Sequence, residues 1–146
     1  MEVKIVTFEA LEIEQLYDLL QLRSQVFVVE QNCVYQDIDG KDQQALHVLG
    51  YEKSILVAYT RLFAPGIYFK EAAIGRVLVK EEHRKKSYGH DILKASLKAI
   101  EENFSTQSVK LSAQTYLTKF YESHGFEQTG EGYLEDGIPH IAMIKN

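Results

Sequence analysis

Arg84-Lys-Lys-Ser-Tyr-Gly-His90 brings together residue types that could do chemistry. The run lies between an apolar stretch, Ile74 to Val79, that reads as a buried strand, and an amphipathic stretch, Gly89 to Phe104, that reads as a helix. A basic, small-residue turn that opens a helix directly after a strand offers unpaired backbone N–H groups at the positive end of the helix dipole. Such a turn suits a phosphate group. It also serves as a plain connector, and both readings stand on local pattern alone. Basic residues cluster here at His83, Arg84, Lys85 and Lys86, whereas Glu30, Asp37, Asp39 and Asp42 gather on an earlier polar stretch. A charge run is ordinarily a solvated face. Opposite signs on two separate loops also suit an anionic cofactor and a cationic partner.

The elements that must position these residues follow from periodicity. Val3 to Phe8 alternates as a strand, and Leu11 to Glu30 carries apolar residues near helical spacing. Asn32 to Gln44 is polar and holds Asp39-Gly40, so it reads as a loop. Leu46 to Tyr51 and Ile55 to Phe63 form a hairpin, and Ala72 to Val79 a longer, mostly apolar strand. Ile92, Leu93, Ser96, Leu97, Ile100 and Phe104 share one helical face. Val109 to Ala113 is a brief strand, and Thr115 to Ser123 a short helix that Gly125 ends. Glu127 to Tyr133 and His140 to Lys145 are strands around Glu135-Asp136-Gly137. The order β-α-β-β-β-α-β-α-β-β, without repeats or linkers, predicts one α+β (mixed α/β) domain over residues 1–146.

Bulk properties narrow the classes. The 146 residues suffice for one domain with a substantial core, and 45% hydrophobic with 25% charged residues is ordinary for a globular protein. A net charge of −5 argues against general nucleic-acid binding, which needs a basic field. No apolar run approaches a membrane span, and Met-Glu-Val-Lys-Ile lacks the features of a secretory signal. The lone Cys33 can form no internal disulfide, and no cluster suggests a metal. A cytoplasmic location is expected, with neither nucleic acid, membrane nor metal involved.

With that order of elements, three stretches carry a family resemblance. Arg84, Ser87 and Gly89 fall on the pattern Gln or Arg, two residues, Gly, one residue, Gly or Ala; Tyr121-Glu-Ser-His-Gly125-Phe126 closes the late helix. Arg23-Ser-Gln-Val-Phe-Val-Val-Glu-Gln31, Tyr35-Gln-Asp-Ile-Asp-Gly40 and Glu135-Asp-Gly-Ile-Pro-His140 add to them. The chain resembles the GNAT superfamily of acyl-CoA-dependent N-acetyltransferases and, within it, the small bacterial ElaA-type group. The resemblance covers about Phe8 to Lys145. Ser87 stands where the family has its first Gly, so a Cβ sits near the expected pyrophosphate; its hydroxyl could donate to a phosphate or cap the helix.

The resemblance implies a central mixed, mostly antiparallel sheet, flanked by helices, whose middle strands splay apart to admit acetyl-CoA. The exposed edge would be Arg76 to Val79, with main-chain groups of Val77, Leu78 and Val79 against the pantetheine arm. The pyrophosphate would rest on Lys85, Lys86, Ser87, Tyr88, Gly89 and His90, with charge from Arg84 and Lys85. Tyr121 matches the family's tyrosine that protonates the leaving thiolate; a helix tyrosine packed with Phe120 and Phe126 is the plainer reading. Gln114 takes the place of an Asn that many members carry, to hold the cofactor arm or a water. The strand before the signature carries no carboxylate, so Glu30 and His140 are the candidate bases, with a water chain as another option. Arg23, Phe27 and Glu30 share a helix face, and Arg23 is expected to pair with a neighbouring carboxylate. Glu30, Gln31, Asp37 and Asp39 would otherwise form an acidic mouth for an amine, and His47 reads as structural.

The expected activity is acetyl transfer from acetyl-CoA to a primary amine. A non-catalytic acyl-CoA-binding sensor or interaction domain is the alternative. An acyl-homoserine-lactone synthase is less favoured, because those enzymes are usually longer and rich in N-terminal tryptophan. The partner is a small-molecule or peptide amine acceptor, with homodimerisation left open.

Overall fold

The computed structural model describes residues 1–146. Its frame is a seven-stranded sheet in the order β1-β2-β3-β4-β5-β7-β6. The strands are β1 (Glu2–Thr7), β2 (Leu46–Glu52), β3 (Ile55–Phe63), β4 (Ala72–Val79), β5 (Val109–Gln114), β6 (Glu127–Glu135) and β7 (Ile138–Lys145). Every neighbouring pair is antiparallel except β4 and β5, whose connection through a helix makes them parallel. The α+β architecture expected from the element order, and the mostly antiparallel sheet that the family resemblance implies, are the ones observed.

Two helices sandwich the sheet because each has one apolar face. α2 (Tyr88–Phe104) buries Ile92, Leu93, Ser96, Ala99 and Ile100 against Val48, Ala58, Leu62, Ile74 and Leu111. Ser96 is tolerated at the centre because its hydroxyl meets both the Ile92 carbonyl (2.7 Å) and Thr60 Oγ1 (2.6 Å). α1 (Ile13–Arg23) lays Leu19 and Leu22, with Val26 beyond it, on Leu49, Tyr59 and Leu78 of the opposite face. β3 therefore has a helix on each side and is buried along nearly its whole length.

The stretch Leu11 to Glu30 is not one regular helix. It is α-helical over Ile13–Arg23 and widens to a π-helical coil over Ser24–Glu30. The wider coil shifts the phase of every following side chain, so Arg23 and Glu30 diverge. α3 (Thr118–Glu122) follows a 3-10 turn at Thr115–Leu117, and Gly125 ends the segment at φ +91°.

One irregularity opens the sheet. β4 pairs with β5 only at Ala72↔Val109 and Ala73↔Lys110. On its other side β4 pairs Gly75 with Arg61 and Leu78 with Tyr59, so Arg76 and Val77 together oppose Thr60. This bulge holds Arg76 at φ +51°, a conformation that L residues seldom adopt. Beyond Gly75 the strand turns away from β5, and its edge stands free.

Candidate active site

The splay leaves a cleft of about 430 Å³ running through the sheet. On the α2 side it is lined by Gly89, Leu117, Phe120 and Tyr121. On the α1 side it is lined by Phe27, Glu30, Tyr35 and Arg76, with Phe63 and Phe69 beside Ala73 where β4 and β5 meet. Val77, Leu78 and Val79 form one wall and Ser112, Gln114 and His140 the other.

The basic turn is a 3-10 segment, Glu81–Lys86, leading into α2. Ser87 joins them at φ +62° and its hydroxyl makes no capping bond, so the capping role considered for it is not the one it plays. The left-handed backbone explains why a Gly suits this position. The first intrahelical donor is Asp91 N–H, to the Ser87 carbonyl at 3.2 Å; the N–H groups of Tyr88, Gly89 and His90 precede it without an i−4 partner. A Cβ on Gly89 would lie 3.4 Å from the Phe120 ring and 3.9 Å from Val79 Cγ2, so a larger residue would push into the cleft.

The basic side chains divide their tasks. Arg84 Nε donates to the Val79 carbonyl at 2.9 Å, and its Nη2 pairs with Glu30 across the mouth of the cleft. Lys86 is drawn to both oxygens of Glu52 at 3.2 Å, where Tyr88 and His83 also bind, tying the turn to the β2–β3 hairpin. The Tyr88 hydroxyl, then Lys86, hold the Glu52 carboxyl below its ordinary value. Lys85 is exposed and unpaired. His90 points to His124 (Nδ1 to Nε2, 2.8 Å) and packs on Phe120.

Tyr121 is buried in the α2-side core, edge-on to Phe120 and Phe126. Its hydroxyl has no protein partner and yet is not among the fully buried unpartnered atoms, so it meets the cleft. Burial, and next the nearby Tyr116, push this phenol well above its usual value. It therefore keeps its proton throughout the neutral range.

Strand alternation places the opposite wall. Val109, Leu111 and Ala113 of β5 face α2, with Ile141 and Met143 of β7; Ser112, Gln114 and His140 must then face α1. Gln114 pairs with His140 across β5–β7, and its Nε2 lies 3.4 Å from Gln31 Oε1. His140 is nearly buried, and its Nδ1 donates to the Ile138 carbonyl at 2.7 Å. Its Nε2 lies 3.4 Å from Glu135 Oε2, and its ring stacks on Tyr133. Glu135, Tyr133 and Ser112 were not among the residues singled out from sequence. The signal was there: a two-residue turn at Asp136-Gly137, both with positive φ, pairs Glu135 with Ile138 and Tyr133 with His140.

The acidic loop differs from the expected open mouth. Asp37 binds Arg23 Nε (2.9 Å) and Arg76 Nε (2.7 Å); Asp39 binds Arg61 Nη2 (2.6 Å); Asp42 binds Arg23 and Arg61. Three guanidinium groups thus neutralise three carboxylates, and Asp37 and Asp39 have no free charge for an amine. Arg23 pairs with a carboxylate as expected, but on the loop rather than at Glu30, which the π-helical turn carries round to Arg84. His47 is structural, as expected: Nε2 donates to the Asp42 carbonyl at 2.9 Å and Nδ1 accepts from the Tyr59 hydroxyl at 2.6 Å. Burial lowers its imidazole.

A split sheet with a helix-opening turn at its mouth defines a class of acyl-transferring protein, and the comparisons agree. The model of the acetyltransferase (GNAT) domain matches residues 11–146. Protein ElaA of Escherichia coli K12 is 44% identical over 92% of this chain and 90% of its own length. A crystal structure of an acyl-CoA N-acyltransferase from Pseudomonas aeruginosa superposes with a TM-score of 0.94 at 38% identity, covering all of both chains. The acyl-homoserine-lactone synthase LasI reaches a TM-score of 0.80 over 98% of this chain and 88% of its own, but at 15% identity the likeness is of fold alone. The chain belongs to the GNAT acyltransferase family, and its group is the ElaA-like one.

This family uses acyl-CoA, and the residues present suit it: an unpaired helix start, a free strand edge and a cleft reaching Tyr121. No group of three or more His, Cys, Asp or Glu is placed to hold a metal, and no helix is long and apolar enough to cross a membrane.

Proposed function

We propose that residues 1–146 form one N-acetyltransferase domain that moves an acetyl group from acetyl-CoA to a primary amine. The observation that carries the reading is the position of two proton-handling groups on opposite faces of the split sheet. Tyr121 meets the cleft from the α2 face and His140 from the α1 face. The phosphates lie on the N–H groups from Lys85 to His90, and the pantetheine arm follows the free edge of Val77 to Val79. The amine enters from the α1 face, between the π-helical segment and the β6–β7 turn.

His140 takes the amine proton as nitrogen bonds to the acyl carbon. The bulged backbone of β4 offers N–H groups to the carbonyl oxygen. As the carbon–sulfur bond breaks, Tyr121 gives its proton to sulfur. His140 is preferred to Glu30 because the Glu30 carboxylate is already held by Arg84. Gln114, beside His140, orients the acceptor or a water.

Thiol release from acetyl-CoA with a panel of polyamines, amino sugars, amino acids and peptides tests the reading. Release well above the amine-free rate supports it. Acetyl-CoA that stabilises the fold while no amine raises thiol release would move the protein to the non-catalytic, acyl-CoA-binding alternative.

A further inference from the structure

Four side chains from three strands close a polar ring on the α1-side wall. Tyr133 meets the Ser112 hydroxyl, Ser112 Oγ donates to Glu135 Oε1 at 3.3 Å, and Glu135 Oε2 faces His140 Nε2 at 3.4 Å. Tyr133 then stacks its ring on the imidazole at 6.2 Å and 20°. We propose that Glu135 is the partner of His140 once the ring is protonated and the exit for the proton that His140 collects. This rests on the reading of His140 as the base.

The argument begins with the Ile138 carbonyl. It can only accept, so Nδ1 carries a proton and Nε2 of the neutral ring is a bare acceptor. A bare Nε2 facing a carboxylate is an unfavourable juxtaposition until a proton enters between them. The amine N–H supplies that proton as the carbon–nitrogen bond forms. The imidazolium and Glu135 then make a charge-assisted pair.

Exposure gives the direction of the next transfer. The His140 side chain is 8% exposed and that of Glu135 49%, so the base lies inside the cleft and its partner at the water. The proton passes from Nε2 to Glu135 Oε2 and on to solvent, leaving the ring ready for another amine. Ser112 and Tyr133 keep the carboxylate from swinging outward. Other charged groups around this wall are Asp136 on the turn, and across the cleft Glu30 with Arg84 and Arg76 with Asp37. Tyr35 and Tyr116 also line the cleft here.

A merely structural Glu135–His140 pair would predict similar geometry, so the test must read proton transfer. Glu135→Ala is assayed with acetyl-CoA and whichever panel amine gives most thiol release, with and without added formate. Loss of the carboxylate that receives the proton from a functional imidazole should lower turnover by roughly tenfold or more. Formate, a carboxylate small enough for the vacated space, should restore it severalfold while leaving the wild type unchanged. Glu135→Gln, which keeps the shape of the side chain but cannot take up the proton, should lower kcat with little change in the amine KM. Wild-type kcat in Glu135→Gln, or a loss in Glu135→Ala that formate does not restore, overturns the inference and leaves the base assignment intact. Wild-type turnover in His140→Asn removes the base assignment, and this inference with it.

Discussion

Asp42 Oδ1 accepts from two guanidinium groups at once, Arg23 Nη1 at 2.7 Å and Arg61 Nη1 at 2.9 Å. Both arginines are almost completely buried, one at the end of α1 and one on β3. The loop that carries Asp37, Asp39 and Asp42 is thereby clamped over the α1 face, where its Cys33 and Tyr35 line the cleft.

Removing the shared carboxylate leaves two buried cations short of a partner. Asp42→Asn is expected to cost about 3–5 kcal/mol, the range for breaking one side of a buried pair. Urea denaturation should show this as a lower midpoint with an unchanged slope. A loss below about 1 kcal/mol, the scale of exposed pairs, would mean that water reaches the cluster.

The same cluster sets a dependence on acid. Burial by itself would raise the Asp42 carboxyl, but hydrogen bonds and charge from Arg23, then Arg61, outweigh it and hold it below its usual value. Asp39 is likewise lowered against the pull of burial, by Arg61 above all. A folded-state value below the unfolded one means that the stabilisation is complete above the ordinary carboxylate range, near pH ~4. It is lost as pH falls through the lower folded values. Melting curves should therefore show the gap between wild type and Asp42→Asn as constant near neutrality and narrowing below about pH 4. A gap that widens in acid would contradict the assignment.

Glu30 illustrates how a local reading changes with its surroundings. As an open carboxylate it would attract a cationic amine; paired with Arg84, it screens a guanidinium beside the turn that opens α2. Glu30→Gln should free that charge and tighten CoA binding by about two- to fivefold, the scale of an exposed ion pair. Calorimetric titration reads it directly, and weakened CoA binding would return Glu30 to a role of its own.

Much of this arrangement is legible in the chain, and what is not has identifiable causes. The face of α2 follows from Ile92, Leu93, Ser96 and Ile100, since 3.6-residue spacing is a local property. The opening between β4 and β5 is not local: it depends on Arg76 and Val77 sharing one partner across the sheet. No single-strand pattern predicts that bulge. Arg23 has Glu30 seven residues on, about two turns of an ordinary helix, yet the π-helical widening and the loop fold give it Asp37 and Asp42 instead. Tyr133 and Glu135 could have been found, because a two-residue Asp-Gly turn fixes hairpin register and hence which side chains meet His140.

Gly89 tests the cofactor end. Acetyl-CoA at one hundred times its dissociation constant adds about 2.7 kcal/mol to stability, a readily measured rise in melting temperature. In Gly89→Val the added side chain meets Phe120 and Val79 and narrows the cleft beside the start of α2. The ligand-induced rise should shrink or vanish. A full rise in the variant would place the phosphates elsewhere.

Tyr121 is the sharpest test of chemistry, because its ring and its hydroxyl have separable tasks. The ring fills the core between Phe120 and Phe126. The hydroxyl makes no hydrogen bond within the chain. Tyr121→Phe keeps the first and deletes the second, so the unfolding midpoint should hardly move. Burial, then Tyr116, keeps the phenol protonated, which makes it a donor rather than a base. General acid catalysis contributes ~10²–10⁴-fold in typical cases, and a thiolate is already a fair leaving group, so the low end applies. Turnover with a good acceptor should fall by at least about tenfold, equivalent to ~1.4 kcal/mol in barrier, while acetyl-CoA affinity stays nearly constant. If the Phe variant turns over at the wild-type rate, the departing sulfur takes its proton from another source and Tyr121 is a core residue alone.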